Sequence, residues 1–357
     1  MDMRIVLIPG DGIGEEVMRS AVQVLDAVQK RRRLNFQYEC ALLGGCAIDA
    51  AGVPLPDETL HQCLDAEIIL FGAAGGPKWD HVSPEKRPER ALAKLRKEMD
   101  LFANLRPVRG RKALAPILPV KNRLIGDGID LLIVRELTGG LYYGEPRGIS
   151  TENGETRGYN TMVYTKAEVE RVARTAFELA KERSGRLTSI DKANMLETSR
   201  LWRETTTQLA DEYPDVKLDH LLIDAAALSL ISHPSRFDVL VTGNIFGDIL
   251  SDEAGALAGS LGMLPSASFG SGRGALYEPV HGTAPDIAGQ DKANPIAMIL
   301  SAAMMLRRSF GLRAEARAIE EAVDQALEDG YRTIDIAQKG MKTCGTQEMT
   351  DAILQRM

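Results

Sequence analysis

Two carboxylates one helical turn apart suggest a metal site. Asp248 and Asp252 lie four residues apart in the segment 244–252 (NIFGDILSD), so a helix would place both on one face. Like charges at this spacing repel unless a cation lies between them, and carboxylate oxygens favour Mg²⁺ or Mn²⁺. Asp224, which ends another apolar run, is a candidate third ligand. The alternative is that the acids only stabilise a helix N-terminus, which explains Asp248 better than Asp252.

Three arginines are candidates for binding a small acid. Arg96 and Arg106 stand in the segments LRK and NLRP, and Arg135 closes an apolar strand. An arginine has little reason to end a buried strand unless it points into a cleft. Guanidinium groups bind carboxylates through two parallel hydrogen bonds, so three of them would suit a di- or tricarboxylate. Ordinary surface salt bridges are the alternative for each arginine alone.

A tyrosine and a lysine are the candidates for proton transfer. Tyr142 lies in the segment YYGEPRG, and Lys192 follows the predicted strand 187–191. Cationic neighbours or desolvation can bring the pKa of either side chain into a range useful for acid–base catalysis. Each residue taken alone is also compatible with a purely structural role.

A glycine-rich turn follows the first apolar run. The segment 9–14 (PGDGIG) separates a predicted strand from a predicted helix, which is where nucleotide phosphates often bind. Its spacing is GxGxG, and Glu15 stands where a Rossmann fingerprint needs glycine or alanine. A plain tight turn is therefore favoured over a phosphate site, and the sequence does not predict a Rossmann fold.

Composition limits the possible functions. The chain has 357 residues, enough for about two domains, and a net charge of −7, which disfavours a general binder of nucleic acid or anionic membranes. The N-terminal apolar run is too short for a signal peptide, and the longest apolar stretch, 295–306, is too short to span a membrane. Four cysteines without a CxxC pair are predicted to be reduced thiols, so we expect a cytoplasmic protein.

Strand and helix patterns alternate along the chain, which predicts an α/β fold with a largely parallel sheet. The predicted strands are 5–8, 67–71, 130–137, 187–190, 220–224 and 238–242. The predicted helices are 15–30, 88–98, 167–183, 199–212, 248–261, 294–310 and 314–328. The polar stretch 151–159 contains Asn-Gly and predicts an inserted hairpin or arm. No change of composition marks a domain boundary, so two domains are expected to share the sheet.

Eleven motifs in this order resemble those of the β-decarboxylating dehydrogenases. They are GDGIG, GGPKWD, LRK, NLRP, VRELTGG, YYGEPRG, DKANMLE, GNIFGDILSDEAG, GMLPSAS, EPVHGTAPDIAGQDKANP and SAAMML. The resemblance extends from residue 3 to residue 354. It implies a doubly wound α/β sheet shared by two domains, distinct from the Rossmann fold. It also implies a cofactor domain, 1–101 plus 259–357, and a domain for substrate, metal and dimerisation, 102–258, with an arm near 145–165.

The resemblance also assigns roles to individual residues. Arg96, Arg106 and Arg135 match the arginines that hold the malate carboxylates, and Tyr142 matches the general acid. Asp248 and Asp252 match the ligands of Mg²⁺ or Mn²⁺. The resemblance gives Lys192 the role of the base-side residue in proton transfer and places Asp224 at both the metal and the substrate. Both residues are expected to come from the second subunit of a homodimer with shared sites. The matches to the cofactor site are Asn194, Glu278, His281, Gly282, Thr283, Ala284, Asp286 and Asn294.

Asp286 favours NAD over NADP, because a carboxylate accepts hydrogen bonds from a ribose 2′-hydroxyl but repels a 2′-phosphate. NADP-using relatives tend to carry Lys-Tyr at the positions of Asp286 and Ile287. The implied reaction is therefore an oxidative decarboxylation with NAD, and the most similar branch of the family acts on 3-isopropylmalate in leucine biosynthesis.

The expected side-chain pocket departs from the family pattern at two positions. The matching residues are Glu89, Leu92, Ala93 and Met195. Ala93 replaces a common leucine, and Met195 replaces a common valine, so one wall is smaller and another is more flexible. A malate with another apolar C3 group, such as benzyl or methylthioalkyl, remains an alternative substrate. A non-catalytic regulatory subunit is disfavoured, because such subunits lose the residues that Tyr142, Lys192 and the three aspartates represent here.

Overall fold

The computed structural model describes residues 3–121, 124 and 128–357. The strands are β1 (Met3–Gly10), β2 (Phe36–Cys40), β3 (Ile68–Ala73), β4 (Ala103–Gly110), β5 (Ile129–Glu136), β6 (Gly148–Glu152), β7 (Glu155–Tyr159), β8 (Arg186–Asp191), β9 (Lys217–Leu222), β10 (Val239–Thr242), β11 (Pro265–Phe269), β12 (Ala275–Pro279), β13 (Tyr331–Arg332) and β14 (Lys342–Thr343). The helices are α1 (Gly14–Arg32), α2 (Gly45–Ala51), α3 (Asp57–Ala66), α4 (Pro88–Glu98), α5 (Lys166–Lys181), α6 (Glu197–Ala210), α7 (Ile223–Ser232), α8 (Asn244–Ala258), α9 (Ile296–Arg308), α10 (Arg313–Glu328) and α11 (Thr346–Leu354).

The chain divides into two compact units. Unit 1 comprises Met1–Leu101, Gly110–Asn122 and Gly255–Met357, and unit 2 comprises Phe102–Arg109 and Arg123–Ala254. The predicted doubly wound α/β fold is confirmed, and each unit contains five strands of parallel or mixed sheet. Residues 110–122 group with unit 1, whereas the predicted second domain, 102–258, includes them. The assignment of cofactor to one domain and of substrate to the other stays a prediction.

Unit 1 has the strand order β2-β1-β3-β12-β11. Strands β1, β2, β3 and β12 run parallel to one another, and β11 runs antiparallel to β12. Every residue of β3 is buried, as expected for a parallel strand that is covered on both faces. Helix α9 is also almost entirely buried and packs on α10, α1, β11 and β12, which explains its apolar sequence without a membrane.

Unit 2 has the strand order β4-β5-β10-β8-β9. Strand β10 is parallel to β5 and to β8, and β8 is parallel to β9. Chain segments that follow the carboxyl ends of parallel strands start at the same edge of the sheet. Arg135 near the end of β5, Lys192 after β8 and Asn244 after β10 are therefore brought to that edge.

One predicted strand ends earlier than expected. The predicted strand 220–224 is observed as β9, which ends at Leu222, and Asp224 lies in the first turn of α7. The alanine run at 225–227 explains this correction, because alanine has the highest helix propensity. Strands β2, β4, β11 and β12 were not predicted from the sequence, and three of them, β4, β11 and β12, contain a proline.

The predicted arm is a two-stranded antiparallel hairpin. Strands β6 and β7 pair from Gly148 with Tyr159 to Glu152 with Glu155, around an Asn-Gly turn. Nine of its ten strand residues are exposed, and Ile149 has 81% of its surface accessible. Within the described ranges, no helix is long and apolar enough to cross a membrane. All four cysteines have free thiols in the structure.

Asp11 organises the glycine-rich turn of unit 1. Its buried carboxylate accepts hydrogen bonds from the backbone N–H groups of Gly45, Cys46 and Gly75, at 2.7–2.8 Å. Gly12 has a φ of +60°, and a Cβ there would lie 2.1 Å from the Thr283 carbonyl oxygen. The turn is therefore packed tightly against neighbouring buried segments, as expected for a plain tight turn.

Removing the Asp11 carboxylate is expected to destabilise unit 1. Asp11→Ala leaves three backbone donors without their acceptor, which should lower the free energy of unfolding by about 3 kcal/mol. Urea unfolding followed by circular dichroism measures the change. Asp65→Ala is the control, because this carboxylate is exposed on α3. Equal midpoints for the two variants would contradict the role given to Asp11.

Candidate active site

Helix α8 carries both predicted metal ligands. Asp248 and Asp252 are separated by one helical turn, as the spacing predicted, and the side chain of Asp252 is 59% exposed. Burial raises the pKa of Asp252, and the nearby negative charge of Asp248 raises it further, while Arg106 opposes the change. The repulsion expected from the i, i+4 spacing is therefore present, and a cation bound between the two carboxylates would relieve it.

Arg135 is fixed on the α8 helix by two different partners. Its Nε and Nη2 donate to Asn244 Oδ1 at 3.0 and 2.8 Å, and its Nη1 donates to Asp248 Oδ1. A Cβ on Gly247 would lie 2.7 Å from Arg135 Cγ, so glycine at this position lets the arginine side chain cross the helix. Arg135 is 4% exposed, which makes it a buried cation at the carboxyl end of β5.

Arg106 approaches the same helix from β4. Its Nε donates to Asn104 Oδ1 at 2.7 Å, and its Nη1 donates to Ser251 Oγ at 2.6 Å. The same Nη1 lies 3.5 Å from Asp248 Oδ1 and 3.6 Å from Asp252 Oδ1. Two of the three predicted carboxylate-binding arginines are thus brought together beside the predicted metal ligands.

Tyr142 completes this cluster. Its hydroxyl donates to Asp248 Oδ2 at 3.0 Å, and its ring lies 5.8 Å from the Arg135 guanidinium carbon. Burial raises the pKa of Tyr142, and the Asp248 carboxylate raises it further. A phenol is protonated at neutral pH, and in that form it can act as a general acid.

Lys192 and Asp224 form a separate pair within unit 2. Lys192 Nζ contacts Asp224 Oδ1 at 2.5 Å, and this hydrogen bond lowers the pKa of the carboxyl group. In the part of the chain that the structure describes, no three acidic, histidine or cysteine side chains form a metal-binding group, so Asp224 does not join Asp248 and Asp252. Within the described residues, the carboxylates that could together hold a hard divalent ion are therefore those of Asp248 and Asp252, and the role of Asp224 as a metal ligand stays a prediction.

Asn194 and Met195 follow Lys192 and are both exposed. Met195 has 69% of its surface accessible, which leaves its side chain without a packed environment in unit 2. The role of Met195 in a substrate pocket stays a prediction.

The remaining substrate residues belong to unit 1. Arg96 Nη2 contacts Glu278 Oε1 at 2.5 Å, so a predicted substrate residue and a predicted cofactor residue are directly paired. Leu92 packs against the core of unit 1, and Ala93 is half-buried one position further along α4. The carboxylate of Glu89 lies close to Gly75, where a Cβ would meet Oε1 at 2.4 Å.

The predicted cofactor loop leaves β12 and returns to α9. The Thr283 carbonyl accepts from the Ile13 N–H at 2.8 Å, and Ala284 is held at a φ of +37°. Burial lowers the pKa of His281, whose Nε2 is buried with no hydrogen-bond partner in the described structure. This unsatisfied nitrogen and the exposed Asp286 fit a polar ligand such as the adenosine part of NAD. Gly282, also in the predicted set, has open space where a Cβ would lie.

Asn294 has a visible structural role. Its Oδ1 accepts from the Ile296 N–H at the start of α9, and its Nδ2 donates to Asp335 Oδ2, both at 3.0 Å. The cofactor contact implied for Asn294 stays a prediction, and these bonds show that the amide also stabilises the start of α9.

Sequence reasoning missed the neutral residues that hold the arginines. Asn104, Asn244 and Ser251 are buried and hydrogen-bonded to Arg106 or Arg135. All three lie within motifs already singled out, NLRP and GNIFGDILSDEAG. Only Asn104 could have been found from the sequence, because it stands two residues before Arg106 in the same motif. Asn244 and Ser251 lie far along the chain from the arginines that they contact.

Comparisons with known proteins show which proteins this chain is similar to. The family model for isocitrate/isopropylmalate dehydrogenase matches residues 4–353. The chain is 57% identical to the 3-isopropylmalate dehydrogenase of Bacillus licheniformis, over 99% of this chain and 95% of that protein. It is 54% identical to the enzyme of that name from Nitratidesulfovibrio vulgaris, over the full length of both. The solved isocitrate dehydrogenase of Methylococcus capsulatus is 37% identical, with a TM-score of 0.88, and the match covers 99% of this chain and 98% of that one.

The two carboxylates of α8 give a direct test of the metal site. Asp248→Asn is expected to weaken Mn²⁺ binding at least ~10-fold, because one of two anionic ligands is lost. Isothermal titration calorimetry with the isolated protein measures this change without any turnover. Glu253→Gln is the matched control, because it removes the same charge from the same helix. Unchanged Mn²⁺ affinity in Asp248→Asn would exclude a metal at this helix.

Proposed function

Because the chain belongs to the isocitrate/isopropylmalate dehydrogenase family, we propose that it catalyses the oxidative decarboxylation of (2R,3S)-3-isopropylmalate. The products are 4-methyl-2-oxopentanoate and CO₂, the oxidant is NAD, and the step belongs to leucine biosynthesis. The structural observation that supports this proposal best is the group of Arg106, Arg135 and Tyr142 around Asp248. It combines cations for a dicarboxylate, a protonated acid and oxygen ligands for a metal.

The relatives support an isopropyl group at C3, and the residues expected to line the pocket limit which other C3 groups would fit. The chain is more similar to the relatives named for isopropylmalate, at 53–57% identity, than to the structurally similar isocitrate dehydrogenase, at 37%. Ala93 offers neither a hydroxyl nor a cation for a third carboxylate. A bulkier apolar C3 group, such as benzyl, is the second candidate, because Ala93 leaves more room than leucine would.

The proposed roles follow from charge and proton affinity. Arg106 and Arg135 bind the two carboxylates of the malate, because both are buried cations that donate paired hydrogen bonds. The Nζ of Lys192, which Asp224 holds in place, assists loss of the proton of the C2 hydroxyl. It can accept that proton only after it has released its own proton to solvent, because an ammonium group has no lone pair. Tyr142 Oη then delivers its proton to C3 after CO₂ has left, which is possible because a phenol is protonated at neutral pH.

Two bound groups complete this chemistry. When bound, a divalent cation would withdraw electron density from the C2 oxygen, and NAD would accept the hydride from C2. Asp248 and Asp252 would hold the cation, and the loop containing His281 and Asp286 would hold the adenosine of NAD. The negative charge of Asp286 disfavours the 2′-phosphate of NADP.

We further propose a homodimer in which Lys192 and Asp224 of one chain serve the site of the other. Within one chain this pair stands apart from the metal-binding carboxylates, which supports a contribution across an interface. Unit 2 also exposes large apolar side chains that a partner would cover. They are Ile149, Met195, Leu228 and Ile249, each more than half exposed.

The substrate is tested by turnover of malates that differ only at C3. Steady-state kinetics with NAD and Mg²⁺ or Mn²⁺ should give the highest kcat/KM for isopropylmalate. Ala93→Leu is expected to raise kcat/KM for isopropylmalate and lower it for benzylmalate, by about 10-fold each, because it removes space for a C3 group. Loss of activity on all malates alike would instead mean that residue 93 acts through folding. If benzylmalate is unaffected, residue 93 does not line the C3 pocket.

The shared site is tested by mixing two inactive variants. Lys192→Ala and Tyr142→Phe homodimers are both expected to be nearly inactive, because each lacks one proton-transferring group at every site. A heterodimer refolded from the two chains contains one site with both groups. About half the unaltered activity per heterodimer is therefore expected, and no recovery would show that each chain builds its own site.

A further inference from the structure

The hydroxyl of Tyr164 lies between two loops of unit 2. A Cβ on Gly140, in the turn after β5, would lie 2.4 Å from Tyr164 Oη, and a Cβ on Gly243, after β10, would lie 3.1 Å from it. The Gly140 N–H donates to the carbonyl of Val163 at 3.1 Å, and the Tyr164 ring packs edge-on against Trp202 with centroids 5.7 Å apart. Both loops therefore approach this phenol more closely than a side chain on either glycine would permit.

The hydroxyl provides an acceptor for the start of α8. The backbone N–H of Asn244, the first residue of this helix, donates to Tyr164 Oη at 2.8 Å. The first N–H groups of a helix have no carbonyl partner within the helix, and Asn244 is only 1% exposed. Because a buried N–H without an acceptor is unfavourable, the hydrogen bond to Tyr164 fixes where α8 begins.

Glu136 sets the direction of this hydroxyl. Its carboxylate is fully buried and accepts from the backbone N–H groups of Thr138 and Gly139, both at 2.9 Å. Burial raises the pKa of Tyr164, and the charge of Glu136 and the hydrogen bond between the two side chains raise it further. Because the oxygen of Tyr164 accepts from Asn244, its hydrogen is available to the carboxylate. The phenol thus bridges the end of β5 and the start of α8.

The two elements that Tyr164 joins carry different parts of the proposed chemistry. Tyr142 lies at the end of the turn that begins at Gly140, and Asp248 lies about one helical turn after the start of α8. Their side chains meet, because Tyr142 Oη donates to Asp248 Oδ2 at 3.0 Å. A displacement of the start of α8 relative to the turn would change this contact.

We infer that Tyr164 is a positioning residue whose hydroxyl fixes the start of α8 against the turn that carries Tyr142, and so aligns the proposed general acid with the proposed metal ligands. The inference rests on the proposed function, because it takes Tyr142 and Asp248 to have these roles. Tyr164 acts through the two elements that it joins, since the described hydrogen bonds of its hydroxyl go to Asn244 and Glu136.

The decisive variant is Tyr164→Phe, which keeps the ring and removes only the hydroxyl. The kcat for isopropylmalate is expected to fall about 10-fold, because a small displacement of a catalytic group from the reacting atom is costly. The KM is expected to change less than ~3-fold, because substrate binding through Arg135 is retained. The Asn244 side chain beside Arg135 remains held by the carbonyl oxygens of Leu137 and Gly139.

Mn²⁺ binding gives a readout that does not need turnover. Asp248 and Asp252 both lie on α8 and move with it, so the Mn²⁺ affinity of Tyr164→Phe in isothermal titration calorimetry should stay within ~3-fold of the unaltered value. Tyr213→Phe is the matched control, because it removes the hydroxyl of another buried tyrosine of unit 2, whose ring stacks on Phe177 of α5. It is expected to leave kcat, KM and Mn²⁺ affinity unchanged.

A double-mutant cycle with Tyr142→Phe separates positioning from a general loss of structure. If Tyr164 acts by aligning Tyr142, Tyr164→Phe should lower the residual kcat of Tyr142→Phe by less than ~3-fold, measured at high enzyme concentration. Gly243→Ala tests the same contact with the hydroxyl present, and it carries the test if Tyr164→Phe does not fold. Its Cβ would press on Tyr164 Oη, so kcat should again fall while KM is retained, and the φ of Gly243 lies outside the left-handed region.

The outcomes distinguish the inference from the proposed function. If the unaltered protein is active and Tyr164→Phe has the same kcat, the inference is wrong and the function stands. The inference is also overturned if Tyr164→Phe lowers kcat equally with and without the Tyr142 hydroxyl, or if KM rises or Mn²⁺ affinity falls as much as kcat does. If the unaltered protein turns over neither isopropylmalate nor benzylmalate, the proposed function fails and the inference fails with it.

Discussion

The constraint on which unit 2 depends is the burial of two guanidinium groups beside two carboxylates. A buried cation is costly unless its N–H groups are hydrogen-bonded and its charge is balanced. Arg106 and Arg135 meet this condition only because α8 starts at the end of β10 and presents acceptors from successive turns. The absence of a side chain at Gly247 leaves room for Arg135, and the buried amides of Asn104 and Asn244 accept hydrogen bonds from the two cations.

Unit 1 buries an anion instead of a cation, and hydrogen bonds again stabilise the buried charge. There the buried charge is the Asp11 carboxylate, and its partners are backbone N–H groups at the start of α2 and at Gly75. Three donors replace the water that a carboxylate loses on burial, and no cation is needed among them. The turn that carries Asp11 also contacts the loop of Thr283, so the junction supports the segment proposed to hold adenosine.

Much of this arrangement could be predicted from local pattern. The Asp248–Asp252 pair was found because helical spacing alone places two carboxylates on one face. Asp224 was placed in a strand because an apolar run precedes it, whereas the alanines after it extend a helix that begins at Ile223. Strand β4 was missed because it contains a proline and two arginines, and its stability comes from tertiary contacts rather than propensity. The asparagines beside the arginines were missed because a buried amide has no periodic signature.

The exposed hairpin of β6 and β7 has a thermodynamic consequence. A two-stranded hairpin is at best marginally stable in water, and this one has little buried surface of its own. If a second copy of the chain covers Ile149, the free energy that orders the hairpin includes the free energy of association. The fraction of ordered hairpin then depends on protein concentration through mass action, so dilution would disorder the hairpin before it disturbed the main sheet.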